Sequence, residues 1–374
     1  MLVLCVVLLV IYVIVPSKSV GEVSLACEMK IRHEQCVADQ TSVKTDKRRI
    51  IALGDIHGAY DIMLEDLYDA KIIKSRTSCE WKQQEDDGVV VVQQGDIVDR
   101  GAKAWEALQC LRHLQKEAHK YNSKVVRLIG NHELWWVNGI YYKRNPTADT
   151  RQRIIDTVNT IYQDVANGSL QAAYVHYVYD VPILFIHAGV RPEYYTYLQK
   201  QLSPEDPSKQ LTPIELAAYF NNILQSYLAQ CKSVPCAPSK NEFFEAGPDR
   251  GGTHIGGPLW TDFDVLSAAD TAQRPPLHFL QVVGHTMAYC YNPSSPGTHP
   301  PAGSAECALG LVRASSHLQA ICVDGGMWLG AHAYMVIGSD GHYRSYQKYW
   351  GDKKNPLYNT YQETDLTEAI CSKH

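Results

Sequence analysis

Three short loops concentrate the residue types that bind metal ions or move protons: Gly54-Asp-Ile-His-Gly58, Gly95-Asp-Ile-Val-Asp-Arg-Gly101 and Gly130-Asn-His-Glu133. Each follows a short β-branched run and opens with a glycine, which lets the backbone turn sharply. A lone Asp or His at a strand end ordinarily caps its own turn or hydrogen-bonds locally. Here two more histidines also follow apolar runs and sit beside glycine, His187 in Ile186-His-Ala-Gly189 and His285 in Val282-Val-Gly-His-Thr286. Carboxylate, amide and imidazole together make a ligand set for divalent ions, and in open α/β sheets ligands bind beyond the carboxyl ends of strands. The five segments should therefore converge on one spot.

The elements that must hold them can be read from hydrophobic periodicity. Arg49–Leu53 reads as a strand, and Tyr60–Lys74 as a helix with Ile62, Leu64, Leu67, Ala70 and Ile73 at helical spacing. The pattern repeats with a strand at Gly88–Gln94 and a helix from Ala102 to Tyr121, then with a strand at Lys124–Ile129 and a helical start at Glu133–Trp136. In the second half, Ala173–Tyr179, Pro182–Ile186, Phe279–Val283 and Ala320–Val323 read as strands, and helices are fewer, with Leu211–Leu228 the clearest. Cys231–Pro258 is rich in Pro, Gly and Ser and reads as a long loop or lid. A hairpin is expected over Tyr334–Tyr346, turning at Ser339-Asp-Gly341, and then a polar tail. No linker separates the β-α units from the strand-rich half, so one domain is expected.

Composition narrows the classes. The chain has 374 residues, 45% hydrophobic and 20% charged, which suits a globular protein and excludes a disordered one. A net charge of -5 offers no basic field for a nucleic-acid backbone. Leu2–Val15 is an unbroken apolar run followed by Pro16, Ser17, Lys18 and Ser19, shorter than a bilayer span and fitting a secretory leader. Cleavage after Ser19 satisfies the small-x-small rule, while the missing basic n-region leaves an uncleaved anchor open. The expected address is the secretory pathway, an organelle lumen or the exterior, with membrane attachment only if the leader is retained. Of 11 cysteines, all but Cys5 lie beyond the leader, an even number compatible with disulfides. Cys231 with Cys236 and Cys290 with Cys307 lie in loop-like sequence where closure is easy, whereas Cys110, on an apolar helical face, reads as a buried thiol. Asn167-Gly-Ser is an acceptable glycosylation sequon.

The ordered set GDIHG, GDIVDRG, GNHE, HAG and GH, spread from Ile50 to Met335, resembles the calcineurin-like metallophosphoesterase superfamily and its phosphoprotein phosphatase (PPP) type. The resemblance implies an α/β fold with a central β-sandwich of mixed sheets flanked by helices and the active site at strand C-terminal ends. Four segments are expected: leader or anchor over 1–19, an N-terminal extension over 20–48, the catalytic domain that carries the resemblance over 49–347 and a tail over 348–374. By the family's scheme Asp55 and His57 bind a first metal, Asp96 bridges both, and Asn131, His187 and His285 complete the second. Two divalent ions about 3.5–4 Å apart lower the pKa of a shared water, and the resulting bridging hydroxide attacks phosphorus in line. Arg100 and Asn131 would bind the phosphoryl group, His132 would protonate the leaving oxygen with Asp99 orienting it, and Glu133 would support the ligands from behind. The mixed donors suit Mn²⁺ first, with Fe or Zn²⁺ as alternatives. A phosphorylated protein, on Ser/Thr or Tyr, or a small phosphoester is the implied substrate.

The sequence departs from mainstream Ser/Thr phosphatases in reading His187-Ala-Gly189 for His-Gly-Gly and in lacking the Ser-Ala-Pro-Asn-Tyr loop. The nearer likeness is to bacterial-type branches, including the Shewanella-like protein phosphatases, and toxins that grip the missing loop should act poorly. Ile321-Cys-Val-Asp-Gly-Gly-Met327 stands where such relatives carry a Gly-rich, Asp-containing segment, and Gly257-Pro-Leu-Trp-Thr-Asp262 resembles a segment near the metals. For a second phosphate-binding arginine, Arg250 is a candidate beside Arg191 and Arg274. His113, His176 and His317 read as structural. Diadenosine tetraphosphate hydrolases share the His-Ala-Gly motif and are the nearest rival. Asp99 and Arg100 weigh against them, because a phosphoester leaving group needs protonation more than a nucleotide phosphate does. A non-catalytic binding protein would be expected to break the ligand set, and every position is occupied.

Overall fold

The computed structural model describes residues 48–83, 88–141, 148–178, 181–231, 235–268, 277, 279–287, 313–314, 320–348 and 361–365. In chain order the elements are β1 (Arg49–Leu53), α1 (Tyr60–Asp69), β2 (Ile73–Ser75), β3 (Ser78–Trp81), β4 (Val89–Gln93), α2 (Ala104–Glu117), β5 (Lys124–Leu128), α3 (Asn131–Val137), α4 (Ala148–Ala166), β6 (Leu170–Gln171), β7 (Ala173–Val178) and β8 (Val181–Ile186). There follow α5 (Pro192–Leu202), α6 (Pro213–Ala229), α7 (Phe263–Ala268), β9 (Leu280–Val283), β10 (Arg313–Ala314), β11 (Ala320–Cys322), β12 (Ala333–Ile337), β13 (Tyr343–Lys348) and β14 (Tyr361–Asp365).

Among the described residues, one sheet has seven strands in the order β14-β13-β12-β1-β4-β5-β6 and a second has five in the order β10-β11-β9-β8-β7. Both are mixed: β1, β4 and β5 run parallel while β12 joins β1 antiparallel, and β8, β9 and β11 run parallel while β7 joins β8 antiparallel. Alternate side chains explain the layering. Ile50, Ala52, Val90, Val92, Val126 and Leu128 of the first sheet pack with Ile183, Phe185, Leu280, Val282 and Ile321 of the second. Ile51, Leu53, Val89, Val91 and Val125 point the other way, onto Met63, Leu64 and Leu67 of α1 and Leu108, Leu111 and Leu114 of α2. The outer face of the second sheet, through Leu184 and Ile186, packs with Ile161 of α4, Leu198 of α5 and Phe220 of α6. Covering on both faces is why β4 reads as an unbroken Val run. The result is the expected sandwich between helices.

Several local expectations change. The helix expected over Tyr60–Lys74 ends at Asp69: Lys71 adopts φ +62°, the Ile72 N–H donates to the Leu67 carbonyl, and Ile73 is buried in the hairpin of β2 and β3. Apolar spacing continued across the boundary because both conformations bury the same side. Cys110 is not a free thiol but pairs with Cys79 of β3, with Cα atoms 5.6 Å apart. Cys231 pairs with Cys236 as expected, whereas Cys290 and Cys307 lie outside the described residues.

The region after β5 is also richer in helix than its sequence implied. Ile154, Val158, Ile161 and Val165 line the buried face of α4, and Pro192 starts α5. The Cys231–Pro258 stretch is no free lid, since it forms turns at Glu242–Phe244 and Pro248–Arg250 and seats Phe243, fully buried, against Phe220. Within the expected tail, β14 pairs with β13. The leader lies outside the described residues, and no described helix is long and apolar enough to cross a membrane.

Candidate metal centre and active site

The loops leaving β1, β4 and β5 meet the segments that follow β8 and β9 at one point. Asp55, His57, Asp96, Asn131 and His187 are buried there, and His285 closes the group. Asp96 lies at its middle, with Oδ2 3.5 Å from His57 Nε2, 3.6 Å from His187 Nε2 and 3.9 Å from His132 Nε2. Asp55 Oδ2 is 3.8 Å from His57 Nε2, and its Oδ1 accepts the backbone N–H of His285 at 2.9 Å. Asn131 Oδ1 lies 3.0 Å from His187 Nε2 and 3.1 Å from His285 Nδ1. The six residues expected as ligands thus meet at one place; four of them, His57, Asp96, His187 and His285, fall in two groups able to hold an ion that share Asp96, with Asp55 and Asn131 beside them. The cluster around His57 and Asp96 also brings in His132, which is close enough to compete as a ligand.

Ring orientation is set from behind. His57 Nδ1 faces the Val98 carbonyl at 2.9 Å and His187 Nδ1 faces the Gln94 carbonyl at 2.7 Å. A nitrogen facing a carbonyl must carry the proton, so each Nε2 presents a lone pair to the centre. His187 Nε2 then confronts Asn131 Oδ1 and Asp96 Oδ2, acceptors facing an acceptor. Asp96 Oδ2 and His285 Nε2 are buried without a hydrogen-bond partner among the described residues. Such a concentration of unmatched acceptors fits cations, and oxygen and imidazole donors fit transition-metal ions.

The backbone is bent to make this arrangement. His57, Asp96, Asp99, Arg100 and His285 all have positive φ, five of the seven such non-glycine residues described, so the left-handed conformations are concentrated at the site. Gly130 and Gly284 permit the close approach: a β-carbon on the first would strike the Asp96 carboxylate, and on the second the Asp55 carboxylate. Glu133 acts as a brace, accepting the backbone N–H groups of Asp96, Ile97, Val98 and Gly130 at 2.8–3.1 Å.

Electrostatics follow from burial and crowding. Burial pushes the imidazoles of His57, His187 and His285 down, His57 to about 3, which keeps them neutral and able to ligate. Burial works to raise Asp96 too, but the surrounding His187, His132, His57 and His285 hold it well below the usual carboxylate range. Asp55 is raised by burial and by Asp324 and Asp96, a repulsion that a cation would relieve. Burial with the Asp96 charge pushes Glu133 up to about 7. For His132, burial opposes the charge, yet Asp96 and the 2.8 Å bond from Nδ1 to Asp99 Oδ2 prevail and its pKa is raised.

Arg100 lies beside this pair, its Nη2 3.5 Å from His132 Nε2. Arg250 is salt-bridged to Asp262, and its charge lowers the pKa of both His187 and His285, whereas Arg191 engages Glu193 and Asp249. Arg274 and His317 lie outside the described residues. Trp135 packs on His132 and on Trp260, which meets His285, forming an aromatic wall. Trp328, whose ring faces the Arg100 guanidinium, carried no sequence signal, because it belongs to a distant turn.

Residues 48–227 match the family described as calcineurin-like phosphoesterase, and the chain carries a calcineurin-like phosphoesterase domain. Among relatives, an uncharacterized protein of Schizosaccharomyces pombe is 31% identical over 39% of this chain and 45% of its own. Shewanella-like protein phosphatase 1 of Plasmodium berghei is 39% identical over 26% of each chain. The chain thus spans less than half the length of these curated relatives. The cold-active protein-tyrosine phosphatase of a psychrophilic Shewanella species superposes with a TM-score of 0.51 at 21% identity, over 84% of this chain and 80% of that one, and so shares the fold.

Proposed function

We propose that the protein is a binuclear-metal-dependent phosphoester hydrolase acting on phosphoproteins, at Ser/Thr or Tyr. The observation that carries this is the pairing of a buried acceptor cluster around Asp96 with a proton donor and a guanidinium at its edge, His132 and Arg100. Asp55, His57, Asp96, Asn131, His187 and His285 would hold two divalent ions, with Mn²⁺ the first choice from the donor set. When bound, those ions supply positive charge at the phosphoryl oxygens and activate water as the nucleophile.

The chain's own groups do the rest. Arg100 has planar donors suited to phosphoryl oxygens, and Asn131 and Arg250 are further candidates to bind them. Asp99 fixes the His132 tautomer, so Nε2 delivers the proton to the departing alkoxide or phenoxide. The Asp99 carboxylate bonded to Nδ1 favours the charged, proton-carrying form of His132. This acid favours a phosphoester over the phosphoanhydride of a dinucleoside polyphosphate, whose leaving group needs no proton. The two disulfides support an oxidising compartment, in line with export directed by the Leu2–Val15 leader.

The test is residues 20–374 loaded with Mn²⁺ and offered phosphotyrosine peptide, phosphothreonine peptide and diadenosine tetraphosphate, with His132→Ala as control. Peptide turnover lost in the variant is expected. Turnover of the dinucleotide alone would replace this reading with the polyphosphate hydrolase, and turnover of none would overturn both.

A further inference from the structure

Trp328 lies far from the metal-ligand loops in sequence, yet its ring lies under the Arg100 guanidinium, with Cζ 5.0 Å from the ring centroid. The ring is held at its edge by Nε1–H, which donates to Met287 Sδ at 3.2 Å. It projects from a single turn, Met327–Leu329, flanked by Gly326 at φ +80° and Gly330 at φ +91°. The left-handed glycines reverse the chain on both sides, and buried Met327 anchors the turn while Trp328 stays 36% exposed. A tryptophan half-open to solvent at the mouth of a charged site is not there for core packing.

Arg100 meanwhile sits on a backbone with φ +54°, following Asp99 at +74°. An arginine on such a loop has several rotamers, and only some put its planar donors over the site. A π face under the guanidinium selects among them without engaging the in-plane N–H groups. Taking Arg100 as a phosphoryl ligand, as in the function proposed above, we propose that Trp328 is a positioning residue that aligns Arg100 for the phosphoryl group by a cation–π stack.

The test is tungstate affinity by isothermal titration on the Mn²⁺-loaded chain, with melting temperature and bound metal measured on each variant. Trp328→Phe keeps a π face and should bind within about 3-fold of the wild type, whereas Trp328→Leu and Trp328→Ala should weaken binding by about 2- to 30-fold, the range of a cation–π contact. Leucine keeps apolar bulk, so it separates the π face from mere packing. In an Arg100→Ala background, Trp328→Ala should weaken tungstate binding no further. The inference is overturned if the leucine variant binds like the wild type, if phenylalanine is as weak as alanine, or if Trp328→Ala costs the same factor without Arg100. A wild type that hydrolyses phosphopeptide while tungstate affinity ignores Trp328 would sink this inference alone. A wild type that neither binds tungstate nor hydrolyses phosphopeptide would sink the proposed function with it.

Discussion

His132 Nδ1 is committed to Asp99, so the ring exchanges a proton with substrate only through Nε2. An acid of this kind matters in proportion to the basicity of the leaving group. His132→Ala should therefore lower turnover of phosphoserine peptide by about 10²- to 10⁴-fold and that of p-nitrophenyl phosphate much less, because nitrophenolate leaves without help. Equal losses on both substrates in a steady-state comparison would argue that His132 acts as a ligand instead. Glu133 invites a different substitution. It satisfies four buried backbone donors, and Glu133→Ala would strand them at about 1–3 kcal/mol each where no water replaces the carboxylate. A large drop in melting temperature together with lost metal binding is expected; a variant that melts and loads metal normally would deny Glu133 its bracing role. Its position directly after His132 marked it as a support, but nothing in the spacing told that three of its four donors come from the Asp96 loop.

At the scale of elements, local chemistry was legible where caps and breakers coincide with periodicity. Thr212, Pro213 and Glu215 start α6 with a reciprocal capping box, close to the boundary its sequence implied. Hydrogen bonds from Thr212 and Lys209 depress the Glu215 pKa to about 2. The folded value lies below the unfolded one, near 4.3, so the cap's stabilisation is complete above the unfolded value and disappears as pH falls toward 2. Glu215→Gln should cost no more than about 1 kcal/mol near pH 7, because the side chain is largely exposed, and the gap from wild type should close below about pH 4. Urea melts of both proteins across this range check the sign; a gap that widens in acid would refute it. The Cys79–Cys110 bridge ties the β2–β3 hairpin to α2 across a separation of 31 residues. Reduction or a double Cys→Ser change should cost about 2–4 kcal/mol in a denaturant melt. That pairing was not legible, since it depends on a hairpin hidden inside what read as the end of a helix.

At the scale of the whole molecule, the centre gathers Asp55, Asp96 and Asp324 with four histidines from loops that two sheets bring together. Removing metal with a chelator should lower the melting temperature at neutral pH, and returning Mn²⁺ at about 100 times its dissociation constant should restore about 2.7 kcal/mol. A melting temperature indifferent to both would mean that the cluster binds no ion. What could be known from sequence alone was the inventory: which donors exist, that each follows a strand, and that glycines turn the chain beside them. Strand periodicity and glycine turns are local properties, written within a few residues. The tertiary structure decided the rest: that His132 stands within ligand distance of Asp96, that Arg250 engages Asp262, and that β14 closes the larger sheet on β13. It also brought Trp328 under Arg100. Each of these joins residues whose separation along the chain carries no period or motif, and only the packing of two twisted sheets face to face fixes which of them meet.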